Sequence, residues 1–387
     1  MFSLTDYTYT LPKELIAEEA IHPHHDARLM VLSRESGEII EEAKFWDLPN
    51  FLEKDRILFF NNSRVQRARI RISGKIREKS DGTKTLLEDG EIFVLEDLGS
   101  GRFEALVRPG SKLKPGSKIW LDKDICISIE EMTNEGRICQ VSGISLGGMM
   151  ETYGELPLPP YIEYSKEKEA DYQTSFASKD GSVAAPTASL HFTNELLENI
   201  ENEKYFLTLH VGLGTFKGID TDDIRDYAIH KEKAEVPLSI FEALFEMKNS
   251  GKKVVAVGTT ACRTLESLPF VWKGLKQGDQ SLFREEVQLY WNSMAKNIGT
   301  EDYIHSLTVD NTTSTILFST AIYIYPGKSF HVVDELITNF HLPESSLLVL
   351  VSALMGKEKI MNIYRKAIEK KYRFFSFGDG MYINLGK

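Results

Sequence analysis

Six stretches of the chain carry side chains whose types and spacing could run chemistry. In VAAPTASLHFT (183–193), small residues and a proline give a tight backbone bearing Thr187 and His191. In IHKEKAEV (229–236), His230 and Glu232 stand two apart, so on a strand they share a face, and a carboxylate beside an imidazole is an acid–base pair. VVAVGTTACRTLES (254–267) runs a buried strand into Gly258, Thr259 and Thr260 and then a helix, where free amides and the positive dipole end suit an anion. Arg263 follows in the first turn and Glu266 one turn later. TNFHLPESSLLVL (338–350) sets Asn339 and His341 at a strand exit, an amide and an imidazole suited to a base or ribose. TLHVGLGTF (208–216) carries His210, Gly212, Gly214 and Thr215, with glycines that permit close backbone approach. YRFFSFGDGMYI (372–383) holds Asp379 on a turn between two glycines. Each stretch also has a plain structural reading: capped backbone groups, an Arg–Glu pair on a helix surface, a turn aspartate.

Such residues need elements to aim them. From residue 165 onward strands and helices alternate. KYFLTLHV (204–211), KVVAV (253–257), AIYIY (321–325), VDELITNF (333–340) and YRFFSF (372–377) read as strands. Residues 238–251, 261–268 and 345–356 read as helices. The polar stretches fall just after strands, where α/β folds bind ligands. Residues 58–150 differ: ILFF, RARIRI, EIFVLEDL, RFEALV, KIWL, ICISI and RICQV are short strands punctuated by Gly and Pro, which predicts a small sheet or barrel. The proline cluster ELPLPPYIEY (155–164) reads as a stiff, extended connector. The expected fold class is therefore α/β (α+β): a mixed, barrel-like α/β main domain (1–57 and 151–387) with an inserted small β-barrel domain (58–150). Polar residues 269–320 are expected as an insertion in the main domain.

Composition narrows the function classes. The 387 residues exceed one compact core. No apolar run reaches the roughly 18–20 residues that span a bilayer. Acidic residues Asp6, Glu14, Glu18 and Glu19 near the start argue against a signal peptide, so a cytoplasmic protein without a membrane partner is expected. The three cysteines, Cys126, Cys139 and Cys262, form no Cys-x-x-Cys pair, so no metal site is expected. A net charge of −11 sits badly with nucleic-acid binding unless positive charge is local. NNSRVQRARIRISGKIREK supplies it: Arg64, Arg67, Arg69 and Arg71 are candidate phosphate contacts, the last three alternating along an expected strand.

Together and in this order, the motifs resemble the S-adenosylmethionine:tRNA ribosyltransferase-isomerase family of queuosine biosynthesis. FNNSRVQRARI, GELPLPPYI, DYQTSF, VAAPTASLHFT, TLHVGLGTF, VGTTACRTLES, IYPGKSFHVVDELITNFHLPES and YRFFSFGDGMYI all look like its signature stretches, nearly the whole chain. The sequence departs where the family usually has Gly for Ser189, Ala for Gly380 and Arg for His24.

The resemblance implies a reaction. The ribosyl part of S-adenosylmethionine is transferred to the aminomethyl group of 7-aminomethyl-7-deazaguanine in tRNA and rearranged, giving epoxyqueuosine-tRNA, adenine and methionine. The partners expected are that tRNA and S-adenosylmethionine as co-substrate, with no further cofactor, and the protein is expected to be a monomer. His191, or His230 with Glu232, would be the acid–base group. Arg263 and the 258–260 amides would hold the methionine carboxylate, Asn339 and His341 the adenine or ribose, and Asp379 an amine or hydroxyl. Thr187, His210, Gly212, Gly214, Thr215 and Glu266 complete the expected substrate site. Two other classes compete, a methyltransferase and a non-catalytic RNA-binding relative. The first would show a Gly-rich Rossmann loop, which is missing here.

Overall fold

The computed structural model describes residues 2–134, 136–216 and 218–385, without the side chains of Thr215 and Phe216. The chain forms two compact units, Met1–Arg64 with Pro159–Lys387, and Val65–Leu158.

The first unit is built on ten strands: β1 (Arg28–Ser33), β2 (Ile39–Lys44), β3 (Arg56–Asn61), β4 (Lys204–His210), β5 (Glu232–Pro237), β6 (Lys253–Val257), β7 (Ile304–Asp310), β8 (Thr315–Thr320), β9 (Glu335–Asn339) and β10 (Gly380–Asn384). They lie in the order β7-β8-β5-β4-β3-β6-β9-β10-β1-β2. The centre, β4-β3-β6-β9, is parallel, and the pairs that extend it are antiparallel except for the parallel pair β10-β1. Central parallel strands are covered on both faces, which is why RILFFN and KVVAV read as continuous apolar runs. The period of two divides them between two cores. Ile57, Phe59, Val254, Ala256 and Leu336 join Trp272 and Trp291 on one face. Leu58, Phe60, Val255, Val257 and Ile337 join Phe45 and Phe192 on the other. The helices that matter below are α1 (Leu238–Asn249), α2 (Thr259–Gly274), α3 (Glu285–Lys296), α4 (Ser346–Met355) and α5 (Lys357–Glu369).

The second unit carries a nine-stranded sheet, antiparallel at each described pairing, over a core that includes Ile70, Phe93, Phe103 and Ile127. Among the described residues, no helix is long and apolar enough to cross a membrane.

The mixed α/β class stands, with corrections. Both large sheets have a linear strand order, where barrels are expected from the sequence. ILFF belongs to β3 at the centre of the ten-stranded sheet, not to the small domain. Residues 269–320 hold the end of α2, which runs through Pro269, then α3, and then β7 and β8, which finish one sheet edge. AIYIY follows β8 without forming a strand, and its Tyr323 packs edge-on against Tyr227 at 5.4 Å. YRFFSF forms none either, because Phe375 takes φ +73°, a left-handed turn that a ladder cannot include.

Candidate functional site

β6 ends at Val257. Gly258 then turns with φ +89°, a conformation glycine adopts without strain, and α2 begins. β9 ends at Asn339, and α4 starts beyond it, capped by the Ser345 hydroxyl, which accepts from Leu348 N. Between these two strand ends and the 3-10 turn Thr187–His191 lies a cavity with room for water centres of about 100 Å³. Thr187, Gly258, Thr259, Thr260, Asn339 and His341 line it, with an aromatic wall of Tyr161, Tyr172 and Phe375. The amides of Thr259 and Thr260 are first-turn donors with no acceptor inside the helix. The Gly258 amide is not one of the expected anion donors, since it donates to the Ile337 carbonyl at 2.8 Å. The Thr260 hydroxyl is buried there with no partner among the described residues.

A polar chain fixes Asn339. The Thr187 hydroxyl donates to its Oδ1 at 2.9 Å, and its Nδ2 donates to His191 Nε2 at 3.2 Å. The other His191 nitrogen, Nδ1, faces the His24 carbonyl at 3.4 Å. A carbonyl only accepts, so Nδ1 carries the proton and the tautomer is set. Phe45 stacks on the ring with centroids 4.1 Å apart. Burial drives the His191 pKa down to about 3, so the ring is neutral. His191 therefore stands behind Asn339 and is not among the residues lining the cavity. His341 does line it. Its Nε2 meets the Thr338 hydroxyl at 2.9 Å, its amide donates to the Tyr364 hydroxyl at 3.0 Å, and its carbonyl accepts from Tyr9. Burial lowers its pKa to about 3 as well.

The structure gathers a second group of candidates elsewhere. Glu232 is 2% exposed, and its carboxylate accepts from the Gly212 amide at 3.1 Å, meets His230 Nε2 at 3.1 Å and pairs with Arg263. Burial pushes this carboxyl up, but the Arg263 guanidinium, His230 and the Gly212 amide outweigh it and hold the pKa at about 2. Gly214 is needed here, since a Cβ would fall 2.2 Å from His230 Nδ1. Arg263 also donates to the Ile322 carbonyl at 3.3 Å and is not among the cavity's lining residues. His210 is held by Glu235 at 3.1 Å.

Two acids act as braces. Glu266 takes the three amides of His331, Val332 and Val333 at 2.7–2.9 Å. Asp379 takes the amides of Arg28 and Arg373 at 2.9 and 2.8 Å, so both its oxygens serve the backbone. The side chain of Thr215 lies outside the described residues.

Sequence reasoning passed over Tyr161, Tyr172, Ser376 and Phe375. Tyr161 OH bonds Ser376 Oγ at 2.6 Å, and its ring lies 4.9 Å from Phe375. Their signal was the aromatic residues inside PPYIEY, DYQTSF and YRFFSF, with Ser376 beside them in the last.

Of the basic residues, Arg69 and Arg71 lie on one strand and both approach Glu91, at 3.4 and 3.9 Å. Arg71 also pairs with Glu155 at 2.9 Å. Arg67 precedes that strand and donates to the Gly154 carbonyl at 2.9 Å. Arg64 donates to the Ala177 carbonyl at 2.7 Å. The fold also brings together His22, His24 and Asp171, a grouping that cysteine spacing gave no reason to expect.

The sequence matches the profile of queuosine biosynthesis proteins over residues 4–383. It is 40% identical over 384 residues, 98% of each chain, to the S-adenosylmethionine:tRNA ribosyltransferase-isomerase of Halothermothrix orenii. It is 36% identical over 397 residues to the protein of the same name from a Synechococcus strain, covering 98% of this chain and 95% of that one. A crystal structure of an S-adenosylmethionine tRNA ribosyltransferase from Thermotoga maritima is 30% identical, covering 98% of this chain and 99% of that one, with a TM-score of 0.48.

Proposed function

This chain belongs to the queuosine biosynthesis protein family, and from that premise we propose that it is an S-adenosylmethionine:tRNA ribosyltransferase-isomerase. It transfers and isomerises the ribosyl group of S-adenosylmethionine onto 7-aminomethyl-7-deazaguanine at the tRNA wobble position. Epoxyqueuosine-tRNA forms, and adenine and methionine leave. It works in the cytoplasm as a monomer.

The observation that carries the reading is the cavity at the ends of β6 and β9, where a helix N-terminus and a buried, unpartnered Thr260 hydroxyl meet an aromatic wall. The methionine carboxylate goes to the Thr259 and Thr260 amides, where the dipole of α2 favours negative charge. The adenine lies against Tyr161 and Phe375. Thr187 and Asn339 take the ribose hydroxyls, with His191 as the positioning residue behind them.

The proton acceptor is His341, the imidazole that lines the cavity. It removes a proton from the ribose carbon beside the sulfonium, and the C–H electron pair stays on carbon as a neutral ylide. The substrate becomes net neutral, its carbanion balancing the sulfonium, while the imidazole becomes positive, so the net buried charge is relocated rather than increased. That permits a ring whose pKa burial holds near 3 to accept it. The sulfonium itself acidifies the C–H, so the chemistry needs no metal or redox cofactor. The Glu232–Arg263 pair props the loop around Gly212 from outside the cavity. The tRNA phosphates go to Arg64, Arg67, Arg69 and Arg71, and Arg69 and Arg71 exchange their carboxylate partners for phosphate.

Incubating the purified protein with S-adenosylmethionine and tRNA carrying the aminomethyl base tests this. Adenine and methionine released in equal amounts support it. S-adenosylhomocysteine would identify a methyltransferase, and no turnover at all a non-catalytic RNA-binding protein.

A further inference from the structure

His22 and His24 flank a proline near the start of the chain, and both aim Nε2 at one carboxylate. His24 Nε2 lies 3.2 Å from Asp171 Oδ1, and His22 Nε2 lies 3.4 Å from Asp171 Oδ2. Asp171 closes the short helix Lys166–Asp171 and is 147 residues from His24, so the fold alone brings them together. The ligand atoms of the three residues all lie within 4.8 Å of one another.

The hydrogen bonding of His24 leaves a charge to be supplied. Its Nδ1 lies 3.0 Å from the Leu190 carbonyl, which can only accept, so Nδ1 carries a proton. A neutral ring would then present its Nε2 lone pair to a carboxylate, two acceptors face to face. Something positive must sit between them, either a second proton or a metal ion. His22 Nε2 approaches the other carboxylate oxygen, and the two ring centroids lie 5.2 Å apart. One divalent ion between the rings would take a lone pair from each imidazole and from the carboxylate. Donors about 2.0–2.2 Å from a tetrahedral ion stand roughly 3.3–3.6 Å apart, close to the 3.2 and 3.4 Å at which each ring nitrogen meets its own carboxylate oxygen. The Nδ1–H donating to a backbone carbonyl is the outer-shell arrangement that orients metal-binding imidazoles.

We infer that His22, His24 and Asp171 form a binding site for a divalent transition-metal ion of the zinc, cobalt or nickel class. Two imidazoles and a carboxylate suit such ions better than calcium or magnesium, which take oxygen donors. The His22 side chain is 65% exposed, so the fourth position opens to water. The site is outside the cavity but joined to it: the His24 carbonyl accepts from His191, which holds Asn339. Its role is to fix the turn His24–Asp26 and, through it, the positioning chain. The inference does not depend on the reaction assigned above.

Cobalt titration of the EDTA-stripped full chain tests it. One Co2+ per chain should bind, giving visible d–d bands without thiolate charge transfer, since all three cysteines are buried. Asp171→Asn should abolish the bands. His22→Gln, at an exposed position that cannot upset folding, should weaken binding by at least about tenfold, the scale that even outer-shell partners reach. His305→Gln is the control and should bind as the parent does. Zn2+ should raise the melting temperature of the parent and not of His22→Gln. No stoichiometric uptake by the parent, or uptake unchanged in both site variants, overturns the inference.

Discussion

Arg263→Ala should destabilise the main unit through Glu232, with the loss set by pH. The guanidinium compensates a carboxylate that is 2% exposed. Removing one partner of a buried pair costs about 3–5 kcal/mol, because the other charge stays buried. The proton affinity gives a second route to the same figure. The Glu232 pKa falls from 4.5 to about 2 in the folded chain, worth about 3 kcal/mol at roughly 1.4 kcal/mol for each tenfold change. The folded value lies below the unfolded one, so this contribution is present above pH 4.5 and lost as pH falls toward about 2. In Arg263→Ala, burial is left to dominate and raises the carboxyl, so the variant should lose about 3 kcal/mol at neutral pH and close the gap on the parent as Glu232 protonates. Adding Glu232→Gln should recover part of the loss at neutral pH. Guanidinium unfolding followed by tryptophan fluorescence reads this, since Trp272 and Trp291 are buried in the main core. A gap independent of pH from 7 to 4, and equal in the double variant, would show that only packing was lost. S-adenosylmethionine affinity of the folded variant should change by less than about threefold. A direct carboxylate contact would instead cost roughly 10- to 150-fold.

Other consequences are separable. His191 and His341 titrate near 3 when folded against 6.5 otherwise, so each should cost stability as pH falls below 6.5, roughly 2 kcal/mol at pH 5. His191→Gln should flatten that acid limb in urea titrations, and an unchanged limb would contradict the assigned protonation. Thr260→Val removes a buried hydroxyl that has no partner among the described residues. Its S-adenosylmethionine affinity, measured by calorimetry, should fall about 2- to 12-fold while stability holds or rises, and the opposite pair of signs would place the ligand elsewhere. Replacing Arg67, Arg69 and Arg71 together by Gln should weaken cognate and non-cognate tRNA alike and flatten the salt dependence by about 0.7–0.9 per lost contact. A parental salt slope would mean that the pairs with Glu91 and Glu155 are only surface structure.

The strand-exit motifs are legible because the apolar VVAV and the Leu336–Ile337 pair are each followed by polar residues, which locates Gly258–Thr260 and Asn339–His341 directly. What stayed hidden depends on long-range partners. Nothing local indicates that Asp379 serves the amide of Arg28, 351 residues away, or that His191 lies behind Asn339, 148 residues on. Arg263 and Glu232 each read as ligands, and only their pairing across 31 residues shows them neutralising each other. AIYIY and YRFFSF mislead for a physical reason. Alternating apolar residues mark burial as well as strand, and here they serve a tyrosine stack and a left-handed turn. ILFF was given to the wrong domain because chain adjacency to a strand-rich segment says nothing about which sheet a strand joins.

The central claim is that the ribosyl carbons of S-adenosylmethionine end in tRNA while its other two parts leave. Three preparations of S-adenosylmethionine, labelled in the ribose, the adenine or the methionine, test it most directly with tRNA carrying the aminomethyl base. Ribose label should enter tRNA one-for-one with adenine and methionine released, and the other labels should stay in solution. Methyl label in the tRNA, or adenine released with no ribose label incorporated, would contradict it.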